Sequence, residues 1–279
     1  MGRFVAQTVG VLERVLRNPA VLPEVVRKAK SHLTAGKHQR RLVEYADIVE
    51  APFVGLAKVL GVEPGTVREA IATDGFRQVL AELDAYQPPA RARSMGGSAF
   101  LEACYAIVRL ARPAAVLETG VARGYSSAVI LQALEDNGHG KLYSVDLPMF
   151  RSGTVSSTGG AVPKRLRTTR WELHLGSDRQ VLPGLLKRTG PIGFLFYDSD
   201  TAYEGMRRTW ELVWPHLRPG AVLAMRTVQA NDAYVEFAEA HHLTPMIIPQ
   251  PKRRGAYQRE RADGEKIIYM GLLRKPGAG

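Results

Sequence analysis

The sequence predicts an α/β protein: a mostly parallel sheet with helices on both faces, preceded by a region that is helical throughout. Three observations carry this. From about residue 114 onward, short apolar runs alternate with longer helical segments. Before about residue 86 no stretch alternates apolar and polar residues with period two, whereas several repeat at helical spacing. The first apolar run is followed at once by a glycine turn and a helix, the place where open α/β sheets bind ligands.

In the N-terminal region Val11, Val15 and Leu16, with Leu12 beside them, form one apolar stripe. Leu42, Tyr45, Ala46 and Val49 form a second, and Phe53, Leu56, Val59 and Leu60 a third. Pro23, Gly36, Pro52 and Gly61 punctuate them. Glu63, Pro64, Gly65 and Thr66 make a turn into a short helix over 67–72, and 76–86 is a further amphipathic segment. Residues 87–97, rich in proline, glycine and arginine, read as a linker. The expected organisation is therefore a helical cap or oligomerisation region over 1–94 and a ligand-binding α/β domain over 95–279.

Ser98 is the expected N-cap of a helix over 99–112. Strands are expected at 114–117, 141–145, 171–175, 193–197, 221–225, 244–248 and 266–273. Helical segments separate the first five, so these run parallel. A long polar loop joins the last two, so they pair antiparallel.

Composition narrows the function classes. The 279 residues suffice for one α/β domain and a smaller accessory region, and 45% are hydrophobic, as in a globular protein. Cys104 is the single cysteine, which rules out an intrachain disulfide and fits a reducing compartment. No apolar run approaches the roughly 20 residues of a membrane span, and Met1 to Thr8 lack the pattern of a signal peptide, so a cytoplasmic location is expected. The net charge of +11 suggests an acidic partner; an arginine-rich proteome explains it equally well.

The expected site begins where the first strand ends, at Leu117. Glu118, Thr119, Gly120, Val121, Ala122, Arg123 and Gly124 follow, then a helix through Leu134 that opens with Tyr125, Ser126 and Ser127. Gly120 and Gly124 let the backbone approach a ligand, and the helix N-terminus offers N–H groups. The spacing is G-x-x-x-G, not the G-x-G-x-x-G of dinucleotide sites. Glu118 would repel a pyrophosphate but accept from a cationic amino group. Asp146, ending the second strand, suits ribose hydroxyls, and Ser177 or Asp178, after the third, suits an adenine amino group.

These stretches, with Gly140 to Pro148, Arg170 to Asp178 and Leu217 to Leu223, make residues 98–275 resemble the class I S-adenosylmethionine-dependent methyltransferases. The nearest subgroup is the bacterial one resembling sugar and macrolide O-methyltransferases and cephalosporin-hydroxylase-like proteins. The resemblance implies a Rossmann-like sheet of seven strands with a reversed last hairpin, and S-adenosyl-L-methionine as cofactor. It places Glu118, Gly120 and Gly124 at the methionine end, Asp146 at the ribose and Ser177 or Asp178 at the adenine. Thr119, Ser126, Leu147 and Asp198 complete the expected cofactor set. The N-terminal region lies outside it.

Metal-dependent relatives resemble D-x-x-H-x-Y after strand four and carry acids after strand five. Asp198 and Tyr203 match here, but Thr201 stands at the histidine position, and Arg226 and Thr227 stand where the acids would be. A hard cation wants carboxylate oxygens, so no divalent metal is expected. The expected catalytic residues are Asp198, Tyr203 and Arg226, with Asp200 a further polar candidate. Tyr203 reads equally as a packing residue and Arg226 equally as a salt-bridge partner. His241 and His242, at the end of a helix, read as capping or surface residues before they read as catalytic ones.

Two basic stretches are expected at the cofactor edge. One spans 148–170 with Arg151, Lys164, Arg165, Arg167 and Arg170; the other spans 251–261. They suggest an anionic or phosphate-bearing small-molecule substrate. Phe150 and Tyr257 among the basic residues keep nucleic acid as the competing partner. Residues 150–161, rich in small side chains, read as a mobile lid. The function expected is a metal-independent methyltransferase of specialised metabolism, acting on oxygen, and a homodimer through its N-terminal helices. The alternatives are non-methylating use of the same cofactor, a nucleic-acid methyltransferase, and an interaction subunit without activity.

Overall fold

Apolar runs at the centre of the chain become buried parallel strands, and the amphipathic stretches between them become their covering helices. The computed structural model describes residues 48–87, 100–147, 158–251 and 267–277. The strands are β1 (Ala115–Thr119), β2 (Lys141–Asp146), β3 (Trp171–Leu175), β4 (Ile192–Tyr197), β5 (Leu217–Arg226), β6 (Met246–Pro251) and β7 (Ile267–Arg274). They form one seven-stranded sheet in the order β3-β2-β1-β4-β5-β7-β6. The first five strands pair in parallel; β7 runs antiparallel to both β5 and β6. The fold class and the reversed final pair are as expected.

The helices are α1 (Pro52–Leu60), α2 (Pro64–Ile71), α3 (Asp74–Ala85), α4 (Leu101–Ala111), α5 (Tyr125–Asn137), α6 (Asp178–Leu185), α7 (Tyr203–Val213) and α8 (Ala233–Ala240). Pro52 and Pro64 sit in first turns, where a missing N–H costs no hydrogen bond. Thr73 caps α3 by accepting from the Phe76 amide. The fixed points of the sequence thus hold, while boundaries move. Strand β1 continues through Glu118 and Thr119 instead of ending at Leu117, and α4 starts after Phe100, two residues later than Ser98 implies.

One difference concerns the layers. Between β2 and β3 the described residues hold only a single 3-10 turn, Lys164–Leu166, where a helical segment was expected. Ala161, Val162 and Leu166 nonetheless cover that face by joining the core beside α4 and α5. The helices α1 to α3 share this same core through Leu56, Val67, Phe76, Val79 and Leu83. Each fully buried side chain of this kind contributes about 1.5–3 kcal/mol, so these helices are welded to the sheet. The stripes at residues 11–16 and 42–46, Arg151, Phe150, Tyr257, most of the linker, most of the expected lid and nearly all of the second basic stretch lie outside the described residues.

The opposite face is covered by α6, α7 and α8 around Trp210, Phe237 and Tyr234. Strand β6 is shielded in part by the bridge of Val49 to Ile247, with Glu50 N donating to the Ile247 carbonyl at 2.8 Å. The strand order reverses between β1 and β4, so their C-terminal ends open the crevice in which such sheets hold ligands.

Candidate active site at the carboxyl edge of the sheet

The glycine turn is shaped by the strand beside it. Gly120 has φ +87°, and a Cβ there would lie 2.2 Å from the Asp198 carbonyl oxygen. Gly124, also at φ +87°, would meet Val162 Cγ2 at 2.7 Å and Gly159 Cα at 2.9 Å. Both glycines therefore admit neighbouring protein segments, where the sequence suggested a ligand's approach.

Inside the turn sits a carboxylate of the chain itself. Asp146 Oδ2 accepts from the Val121 amide at 3.1 Å and the Ala122 amide at 2.6 Å. Backbone amides converging in this way form an anion-binding nest. Two amides of the turn, ahead of the helix N-terminus, are thus already turned onto Asp146.

Glu118 is fully buried. Ser126 Oγ donates to it at 2.6 Å, Ser127 Oγ at 2.6 Å and Ser144 Oγ at 2.7 Å. Ser144 is its register partner on β2, and the two serines lie in the first turn of α5, where the helix end favours negative charge. Trp171 Nε1 in turn donates to Ser144 Oγ at 3.0 Å. Burial pushes the Glu118 carboxyl up to about 7, and the three hydroxyls oppose that rise.

Ser177 caps α6 in a capping box with Gln180. Asp178 accepts from Ser199 Oγ at 2.6 Å, and that oxygen lies 3.2 Å from Thr119 Oγ1. Asp178 is therefore tied to the end of β4. Leu147 is half-buried just past Asp146. The structure thus brings the expected set to one edge, and adds Ser127, Ser144 and Ser199, which sequence reasoning missed.

At the end of β4, Asp198 forms an ion pair with Arg226 at the end of β5. Burial pushes the Asp198 carboxyl up to about 6; Arg226 opposes the rise and nearby Asp146 adds to it. Of the two readings of Arg226, the salt-bridge partner is the one the geometry displays. Its Nε is buried without a hydrogen-bond partner among the described residues.

The other candidates are placed elsewhere. The Tyr203 hydroxyl donates to Glu236 on α8, which also binds Arg207 at 3.2 Å. That bond holds the Tyr203 phenol above its ordinary range. Of the two readings of Tyr203, this bond displays the packing residue, one that joins α7 to α8. Asp200 shapes the entry to α7: its Oδ1 accepts from the Ala202 amide at 3.1 Å. His241 binds Glu211 at 3.0 Å and packs with its ring tilted against Trp214 and Phe237 at the far end of α8. Neither Asp200 nor His241 is offered to a substrate by these contacts.

In the first basic stretch, three arginines are engaged by the protein itself. Arg165 makes a two-point pair with Glu82, at 2.9 and 2.8 Å. Arg167 binds the carbonyls of Val162, Gly159 and Gly160. Arg170 binds Glu135 and the carbonyls of Gly138 and Gly140 at the opposite edge of the sheet. These three arginines hold the segment onto the body of the protein.

Asp198 is matched to a guanidinium where a metal would want a second acid. Among the described residues no three of His, Cys, Asp and Glu converge as a metal site.

This sheet order, with a carboxylate-rich edge around a glycine turn, defines a class I methyltransferase fold. The family described as a methyltransferase domain matches residues 117–225, from within β1 to within β5. Two solved structures are similar in fold. One is cofactor-bound Rv0187 from MTB, with TM-score 0.51 and 18% identity over 73% of this chain and 91% of that one. The other is a putative O-methyltransferase from Klebsiella pneumoniae, with TM-score 0.50 and 17% identity over 76% of this chain and 94% of that one. No curated protein matches the chain in sequence.

Proposed function

We propose that the chain transfers a methyl group from S-adenosylmethionine to an oxygen of a small molecule that carries negative charge, without a divalent metal. One observation carries the cofactor in this reading: four carboxylates, Glu118, Asp146, Asp178 and Asp198, stand at successive strand ends around the turn, and Asp146 already fills its amide nest, while Arg226 is the cation that favours a negatively charged acceptor. Such an edge disfavours a pyrophosphate and suits a cofactor with a sulfonium and an ammonium group. The O-methyltransferase name of the similar Klebsiella structure supports oxygen as the acceptor atom.

When bound, S-adenosylmethionine supplies an electrophilic methyl carbon. Asp146 is the residue we assign to its ribose, Ser177 and Leu147 to its adenine, and the turn from Glu118 to Gly124, with Ser126, to its amino-acid end. Glu118 acts through the first turn of α5, whose serines it fixes. Asp198 takes the proton from the acceptor hydroxyl. Its pKa of about 6 leaves it ionised yet basic near neutral pH. Arg226 keeps Asp198 ionised and presents positive charge to the oxygen that loses the proton. The rest is alignment of acceptor and methyl donor.

Mass spectrometry of incubations with S-adenosylmethionine and hydroxylated aromatic acids, with a chelator present, tests the reading. S-adenosylhomocysteine and a methylated acid are expected. Methylthioadenosine would mean a different reaction, and activity that returns only with Mg²⁺ would overturn the metal-free assignment. Arg226→Ala should lower both acceptor affinity and turnover; if both are unchanged, Arg226 is only a structural partner. We place the enzyme in the cytoplasm, in specialised metabolism and as a homodimer through its N-terminal helices. The lone buried thiol fits the first of these, and sedimentation of the purified protein tests the last. No helix among the described residues is long and apolar enough to cross a membrane.

A further inference from the structure

A second cavity lies at the opposite, amino-terminal edge of the sheet, where β5 begins and β7 ends. Its volume is about 370 Å³, near the lower limit for small-molecule sites. Leu60, Val62, Leu110 and Val222 give it an apolar wall, and Arg218 and Arg274 stand at it.

The two guanidinium groups are held in place by backbone. Arg274 Nη1 donates to the carbonyls of Val59 at 3.4 Å and Leu60 at 3.2 Å, at the end of α1. Arg218 Nη2 donates to the Ala111 carbonyl at 3.0 Å, at the end of α4. Glycines make room for both: a Cβ on Gly193 would lie 2.7 Å from Arg218 Nε, and one on Gly61 would lie 3.1 Å from Arg274 Nη1. Capping two helix ends explains why the arginines are here. It uses only part of their hydrogen-bonding capacity, since each guanidinium has five N–H donors. Among the described residues neither is paired with a carboxylate, unlike Arg165, Arg170, Arg188, Arg207 and Arg226.

We propose that this cavity binds a small amphipathic oxyanion, a carboxylate or phosphate with a short apolar body, separately from the methyl-transfer site. The head group accepts from the remaining donors of Arg218 and Arg274, a charge-assisted pairing for which arginine is well shaped. The body lies on Leu60, Val62, Leu110 and Val222. Each arginine is oriented before the ligand arrives, which lowers the ordering cost of binding.

The test is calorimetry on the full chain saturated with S-adenosylhomocysteine, using octanoate and octyl phosphate as probes and octanol as the neutral control. One octanoate or octyl phosphate per chain should bind, and octanol at least tenfold more weakly. The pair of anions tells a carboxylate site from a phosphate site. The double substitution Arg218→Gln with Arg274→Gln should weaken binding tenfold or more. Val62→Glu, which places a competing carboxylate in the cavity and leaves the helix caps intact, should do the same in a protein whose melting temperature is unchanged. Anion binding that survives both variants, that octanol matches, or that S-adenosylhomocysteine displaces would overturn the proposal.

Discussion

Substituting Gly120 by alanine probes how tightly the active edge is built. The new Cβ would lie 2.2 Å from the Asp198 carbonyl oxygen, 2.4 Å from its carbon and 2.8 Å from the Ser199 nitrogen. All three are backbone atoms, so no side chain can swing away. Two costs add. The left-handed conformation at φ +87° strains a residue with a Cβ by about 1–2 kcal/mol. Forcing the ends of β1 and β4 apart costs a further ~1–3 kcal/mol. The sum, about 2–5 kcal/mol, corresponds to a fall in melting temperature of roughly 4–20 °C at the ~2–4 °C per kcal/mol of a domain this size. Gly138→Ala is the internal control: its φ is +72°, yet nothing lies within 4 Å of its added Cβ. That variant should show the strain alone. Thermal unfolding of both variants by circular dichroism gives the difference. If Gly120→Ala melts with Gly138→Ala, the close contact between the turn and the end of β4 is wrong.

Other expectations follow from the same geometry. Glu118 holds its proton to about 7 in the folded protein, against an ordinary 4.5, so the unfolded chain releases that proton first as pH rises. Its contribution to stability therefore declines between those values, by about 3 kcal/mol in all at 1.36 kcal/mol per unit. Chemical denaturation at about pH 5 and about pH 8 should show Glu118→Gln gaining on the wild type at the higher pH; a constant difference would contradict the shift. Arg226→Met removes the cation that opposes burial at Asp198, so the acidic limb of the pH–rate profile should move upward, with a stability loss of about 1–3 kcal/mol for this partly buried pair. An unmoved limb would exclude Asp198 as the base. Tyr203→Phe should leave turnover within about threefold and cost about 1 kcal/mol of stability, measured by steady-state kinetics and melting; a hundredfold loss of turnover would restore Tyr203 to the chemistry.

The parts of the fold that were legible in the sequence are those set by local pattern. Apolar-rich runs of four to eight residues located every strand, and Gly120 with Gly124 located the turn. The acids at strand ends were legible too, because a strand's last residue is fixed by its length. What escaped was set by partners distant in sequence. Arg165 meets Glu82 across 83 positions, Arg226 meets Asp198 across 28, and Tyr203 meets Glu236 across 33. Counting charge along a loop cannot reveal such pairings, which is why the basic stretch before β3 looked available for a substrate. The missed hydroxyls had a weaker signal. Ser144 lies beside Glu118 only once the β1–β2 register is known. The amides of Val121 and Ala122 are turned inward by Ala122, a non-glycine residue at φ +47°, which no pattern announces.

Calorimetric titration with S-adenosylhomocysteine and, separately, NAD tests the central claim most directly. The carboxylate-lined edge predicts one S-adenosylhomocysteine per chain, no heat from NAD, and at least tenfold weaker S-adenosylhomocysteine binding by Asp146→Ala under conditions where that variant remains folded. Binding of NAD in place of S-adenosylhomocysteine, or an affinity unchanged by loss of the Asp146 carboxylate, would contradict it.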